Sequence, residues 1–200
     1  MLRKIGFEQL KGIIESDETF FLESQKGKKK VSGRDSRKRG GRANKRGISN
    51  EQICVLVALD RDRHVFLGAA GNGRITSVQI DKAMGTLIEP SSLLCTDSAR
   101  NFLKFAQTKG LQHKAINTRR KNYVSEQIYH VQNVNSYHSR LKKWMTRFQG
   151  VSTKYLDNYL YWFKFLEMTK SINKKNKIKE LFLQGSKKVN FCRVVDIKCV

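Results

Sequence analysis

Residues 53–59 read ICVLVAL and residues 64–70 read HVFLGAA, with the polar tetrad Asp60-Arg61-Asp62-Arg63 between them. Both runs are short and apolar, and the charged break suits an antiparallel hairpin. ICVLVAL has no polar position at either parity, so both faces must be covered, which makes it a central strand. Upstream, SDETFFL at 16–22 reads as a further short strand with Asp17 near its start. Downstream, Val78, Ile80, Met84, Leu87 and Ile88 keep helical spacing over 76–87, closed by Pro90. SLLCT at 92–96 is then a short buried strand whose end presents Asp97. Helical spacing returns over 98–109 through Phe102, Leu103 and Phe105 or Ala106 and stops at Gly110, and residues 113–116 supply a last strand.

The order is strand, strand, strand, helix, strand, helix, strand, helix. Three antiparallel strands followed by right-handed crossovers give an α/β fold with a mixed five-stranded sheet and helices on both faces, the ribonuclease H-like arrangement. In that topology the first and fourth strands are neighbours. Asp17 and Asp97 then meet although they are far apart in the chain.

The last helix places a third group. From Val134 onward, apolar residues fall at Val134, Tyr137, Leu141, Trp144, Met145 and Phe148, one face at three- and four-residue steps. Asn135, His138, Ser139 and Lys142 line up on another face. A lone polar helix face is usually just solvated, but here two strand acids already define a site for a helix to close. Two acids on strands and a third ligand on a helix is the layout of metal-dependent phosphoryl transfer, with two Mg²⁺ (or Mn²⁺) ions expected. Mg²⁺ takes oxygen ligands and keeps several waters, so one or two carboxylates per ion suffice. Asp17 and Asp97 are the expected metal ligands, Asn135 the neutral third, and Lys142 the phosphate contact. Glu18 should point away, since successive strand residues face opposite ways.

Charge names the partner class. Forty Lys and Arg against 17 Asp and Glu give a net charge of +23. Each Lys or Arg that neutralises a phosphate releases counterions, which makes nucleic acid the natural partner. Residues 26–46, KGKKKVSGRDSRKRGGRANKR, concentrate 11 of these cations with one Asp. Such a run cannot bury a face and is expected to be a mobile arm gripping DNA backbone through Lys28, Lys29, Lys30, Arg37, Lys38, Arg39, Arg42, Lys45 and Arg46, with Lys143 contributing from the helix.

The remaining features bound the reading. Cys54 and Cys95 lie in apolar runs and read as small core residues; Cys192 and Cys199 sit in the tail, and with no CxxC pair a zinc site is not expected. No run is long enough to span a bilayer and the first residues lack a signal-peptide pattern, so no membrane partner and a cytoplasmic location are expected. His64 and His113 read as edge or core histidines, and the aromatics from Tyr155 to Phe165 as core packing rather than a stacking platform. One catalytic domain is expected over 16–168, with a short leading remnant at 1–15 and a basic tail at 169–200.

SDETFF, LLCTDSARNF and HVQNVNSYHSRLKKWMTRFQGVSTKYLDNYL together resemble the ISXO-like transposases of bacterial insertion sequences, a branch of the DDE superfamily with a ribonuclease H-like core. The resemblance runs from about Glu15 to Glu167. It implies DNA cleavage and strand transfer on insertion-sequence ends and target DNA by a homo-oligomer. It carries the site onto Asp17, Asp97, Asn135 and Lys142, with His130 and Asn133 supporting. Two departures stand out. Most of the superfamily has Glu where this chain has Asn135, as in its Asp-Asp-Asn-Lys branch, and His138 is an alternative third ligand although imidazole suits Mg²⁺ poorly. Family members also tend to begin with a zinc ribbon and helix-turn-helix, so a truncated or split frame is expected. A structure-selective nuclease of the same fold and an inactive DNA-binding remnant are the competing expectations.

Overall fold

The structure, a computed structural model, describes residues 9–38, 40–116, 124–126 and 128–186. Its centre is the mixed sheet expected from the element order. β1 (Ile13–Leu22), β2 (Gln52–Asp60) and β3 (Val65–Asn72) run antiparallel, and β4 (Leu93–Asp97) and β5 (Gln112–Ile116) add in parallel beyond β1. The strand order β3-β2-β1-β4-β5 is ribonuclease H-like. All of β2 from Ile53 to Asp60 is buried, as its unbroken apolar run requires.

Alternation in β2 sorts two cores. Val55, Val57 and Leu59 pack with α3 (Gln132–Met145) and α4 (Leu156–Met168), while Cys54, Leu56 and Ala58 pack with α1 (Ser77–Met84) and α2 (Arg100–Lys109). α1 starts on a capping box between Thr76 and Gln79. α2 stops at Gly110, whose φ of 68° is the left-handed conformation that glycine adopts without strain. Tyr159 and Trp162 stack edge-on or tilted against Trp144 and Phe148, so the aromatic run does pack, although Trp162 stays partly exposed. Burial pushes the Cys54 and Cys95 thiols up to about 12 and about 11, which suits inert core residues. Cys192 and Cys199 lie outside the described residues.

Several boundaries differ from expectation. β1 begins at Ile13 and Leu10 is fully buried with a bridge to Ile88, so the sheet starts before residue 16 and Asp17 sits in mid-strand. Apolar alternation is hard to see there because Glu15 and Ser16 are themselves buried. A two-residue ribbon, β6 (Val124–Ser125) with β7 (Tyr129–His130), was hidden in a polar stretch. The basic tail begins with α5 (Lys174–Ser186).

The basic arm corrects the expectation of a mobile segment. Its described residues form neither helix nor strand, yet it is tied down. Arg34 Nε lies 2.9 Å from Glu23, and Arg37 donates to the Glu23 carbonyl at 2.6 Å and pairs with Glu51 at 3.4 Å. Lys26 Nζ donates to the carbonyls of Phe148 and Gly150 at 3.0 and 2.9 Å. Two acids, Glu23 and Glu51, and three carbonyls offset the like-charge repulsion that composition alone suggests would keep the run open. Arg39 lies outside the described residues.

Candidate active site

β1 and β4 pair in parallel from Ile13↔Leu93 to Glu15↔Cys95, an offset of 80 residues at every pair. Asp17 and Asp97 follow two residues beyond the last of these pairs, so strand alternation turns both to the side of Glu15 and Cys95, which α3 covers. The carboxylates feel each other. Asp17 is raised to about 7, chiefly by burial, with the charges of Asp97 and Glu18 adding to the rise and the Glu18 backbone N–H and the Lys142 ammonium opposing it. Asp97 accepts a hydrogen bond from the Ala99 N–H at 3.0 Å, which turns the chain into α2 and fixes one carboxylate oxygen.

α3 closes the site, and a buried carboxylate sets its position. Its first residues have no side-chain cap of their own. Glu15, 1% exposed, accepts the N–H groups of Asn133 and Val134 at 2.9 and 3.2 Å and the Asn133 amide at 2.7 Å. Arg61 from the β2–β3 turn lies 2.7 Å away and His130 Nδ1 3.2 Å away. An anion under a helix N-terminus satisfies its orphan N–H groups and opposes its dipole. The expected supporting residues His130 and Asn133 therefore gather at Glu15 rather than at the aspartates. Glu15 itself was missed; the available signal was a lone acid inside the apolar start of a strand.

From Glu15 the two elements keep step. Four helix residues advance about 6 Å and two strand residues about 6.6 Å. His138, four residues after Val134, accordingly faces Asp17, two residues after Glu15. Its Nδ1 is 3.7 Å from Asp17 Oδ2, too long for a hydrogen bond, and its Nε2 is buried with no hydrogen-bond partner. Burial, then the Lys142 charge, pushes His138 down to about 4, so the ring is neutral at pH 7. Lys142, one turn on, acts on both Asp17 and His138. Asn135 is exposed, one turn before His138, and nothing among the described residues hydrogen-bonds its amide. Glu18 turns to the opposite face, where Asn101 donates to it. His64 pairs with buried Asp60 at 2.8 Å, and His113 lies 2.9 Å from Thr96 Oγ1.

The donor set can be tested for a divalent cation. No group of three His, Cys, Asp or Glu side chains arranged around one ion occurs among the described residues. Two interacting carboxylates on adjacent strands, one of them destabilised as an anion, do fit a hard cation that fills its remaining positions with water. No helix among the described residues is long and apolar enough to cross a membrane.

The chain belongs to the family of ISXO2-like transposase domains, whose model matches residues 9–167. No curated protein matches the sequence. Among solved structures, it is similar to a protein in the crystal structure of a pre-cleavage Mos1 transpososome, at 11% identity and a TM-score of 0.35. That match covers 76% of this chain and 51% of the other, so this chain spans about half the length of that protein. The strand order β3-β2-β1-β4-β5 defines the fold.

Proposed function

We propose that this chain is the catalytic domain of a transposase that cuts DNA at the end of an insertion sequence and joins the freed 3′-hydroxyl to target DNA. The observation that carries the reading is the convergence of Asp17 and Asp97 on one face of adjacent strands, beneath a helix bearing Lys142. When bound, a pair of Mg²⁺ or Mn²⁺ ions would supply Lewis-acid charge at the attacking and leaving oxygens. Asp17 and Asp97 would hold that charge in place, with Asn135 completing the set from α3. Lys142 meets the phosphate and lowers the cost of gathering anions there. His138 shields Asp17 from water, while the Glu15 cluster fixes the height of α3 against β1.

The test uses duplexes carrying the DNA that flanks the gene on each side. The expected outcome is metal-dependent nicking and joined product, both lost in Asp97→Ala with DNA binding retained. A pre-cleaved end that yields no joined product would instead identify a structure-selective nuclease. Exposure of Asn135, and an amide where most of the superfamily has a carboxylate, favour a second reading, an inactive DNA-binding remnant. Wild-type chain that binds DNA but neither nicks nor joins it with Mg²⁺ or Mn²⁺ would establish that alternative.

A further inference from the structure

We propose that the groove between the β1–β2 connection and the C-terminal half of α3 holds a single strand of DNA and leads its backbone to Lys142 and the two aspartates. The inference deepens the phosphoryl-transfer reading and rests on it for direction, since Lys142 belongs to both the groove and the site. The cavity measures about 730 Å³. Lys28 and Lys38 line it from the connection and Lys142 from the helix, while Phe21, Val31 and Met145 give it an apolar lining. A cationic track beside aromatic and apolar surface is the pattern by which proteins hold single strands without reading their sequence. A ligand-sized cavity admits the sugar-phosphate chain and bases of one strand, whereas a duplex is too wide to enter.

Two details set this groove apart from general surface charge. Its walls are built: Arg34, Arg37 and Lys26 are used in contacts to Glu23, Glu51 and the carbonyls after α3, and these hold the connection against the helix. Glu23 is the one acid among the lining residues, and Arg34 already pairs with it. Lys28, Lys38 and Lys142 are exposed and form no ion pair among the described residues, so their charge is available to phosphate.

The experiment is fluorescence anisotropy of the whole chain with a labelled oligothymidylate, without divalent metal, across a salt series. Binding then reports on the groove alone, and strand transfer, measured separately, reports on the aspartates. Lys28→Glu with Lys38→Glu is compared with Lys82→Glu and Lys104→Glu, an equal charge change at exposed sites on the helices across the sheet. The groove pair is expected to weaken binding about tenfold and to reduce the salt slope by about 0.7 per lysine, with the control pair changing affinity less than about twofold. Lys28→Gln with Lys38→Gln should show the same ranking with a smaller effect, which covers the case where charge reversal disturbs the loop. Equal losses from the groove and control pairs, or no loss from the groove pair, would overturn the proposal. So would a duplex of the same length that binds as tightly and with the same dependence on Lys28 and Lys38.

Discussion

Burial and the neighbouring Asp97 charge make Asp17 a poor anion in the metal-free chain, and the sign of the effect on stability follows. The folded carboxyl titrates at about 7 and the unfolded one near 3.8, so between those values the folded chain holds a proton that the unfolded chain has lost. Stability therefore falls as pH rises through this window, by at most about 1.4 kcal/mol per unit. With EDTA present, Asp17→Asn is expected to be more stable than the parent at pH 8 and nearly equal to it at pH 4, measured by urea titration. Loss of that crossover would show that the carboxyl is not strained. His138 lies 3.7 Å from Asp17, so His138→Ala should let water in and bring the carboxyl back toward its ordinary range. A carbon-13 NMR titration of Asp17 reads this directly. Asn135→Ala, by contrast, should leave that titration unchanged and lower strand transfer, because its proposed role begins only when metal is bound.

At the scale of elements, α3 depends on a residue outside it. Removing the Glu15 carboxylate leaves the N–H groups of Asn133 and Val134 and the Arg61 guanidinium without their shared acceptor. Glu15→Ala is expected to cost on the order of 3 kcal/mol, the usual scale for breaking a buried pair. Hydrogen exchange should show the first turn of α3 opening well before the sheet; uniform loss of protection would mean that Glu15 supports the core in general. Leu56, fully buried under α1 and α2, gives the comparison. Leu56→Ala should cost about 2–5 kcal/mol through cavity formation and transfer, with no selective opening of α3.

For the molecule as a whole, the net charge of +23 acts on fold and partner in opposite directions. Self-repulsion is screened by salt, so the thermal midpoint of the free chain is expected to rise between about 0.05 and 0.3 M NaCl. Over the same range its affinity for DNA should fall steeply, because each counterion released from a contacted phosphate gains less entropy in a saltier solution. A midpoint independent of salt would mean that the ion pairs holding the 26–46 connection already neutralise the repulsion locally.

The fold and the paired acids were legible because they follow from local patterns: ICVLVAL demands cover on both faces, helical spacing and glycine or proline stops mark the crossovers, and element order then makes β1 and β4 neighbours. The helical phase that aligns Asn135, His138 and Lys142 was equally local. What faces what across the gap was decided only by tertiary structure. Helical phase is insensitive to a shift along the helix axis, and the Glu15 anchor together with the packed apolar face sets α3 so that His138 meets Asp17. The same holds for the basic connection, whose composition reads as open chain and whose path depends on Glu23, Glu51 and the carbonyls after α3. Spacing along a chain encodes a residue's own face; its partner depends on a packing offset that no single segment carries.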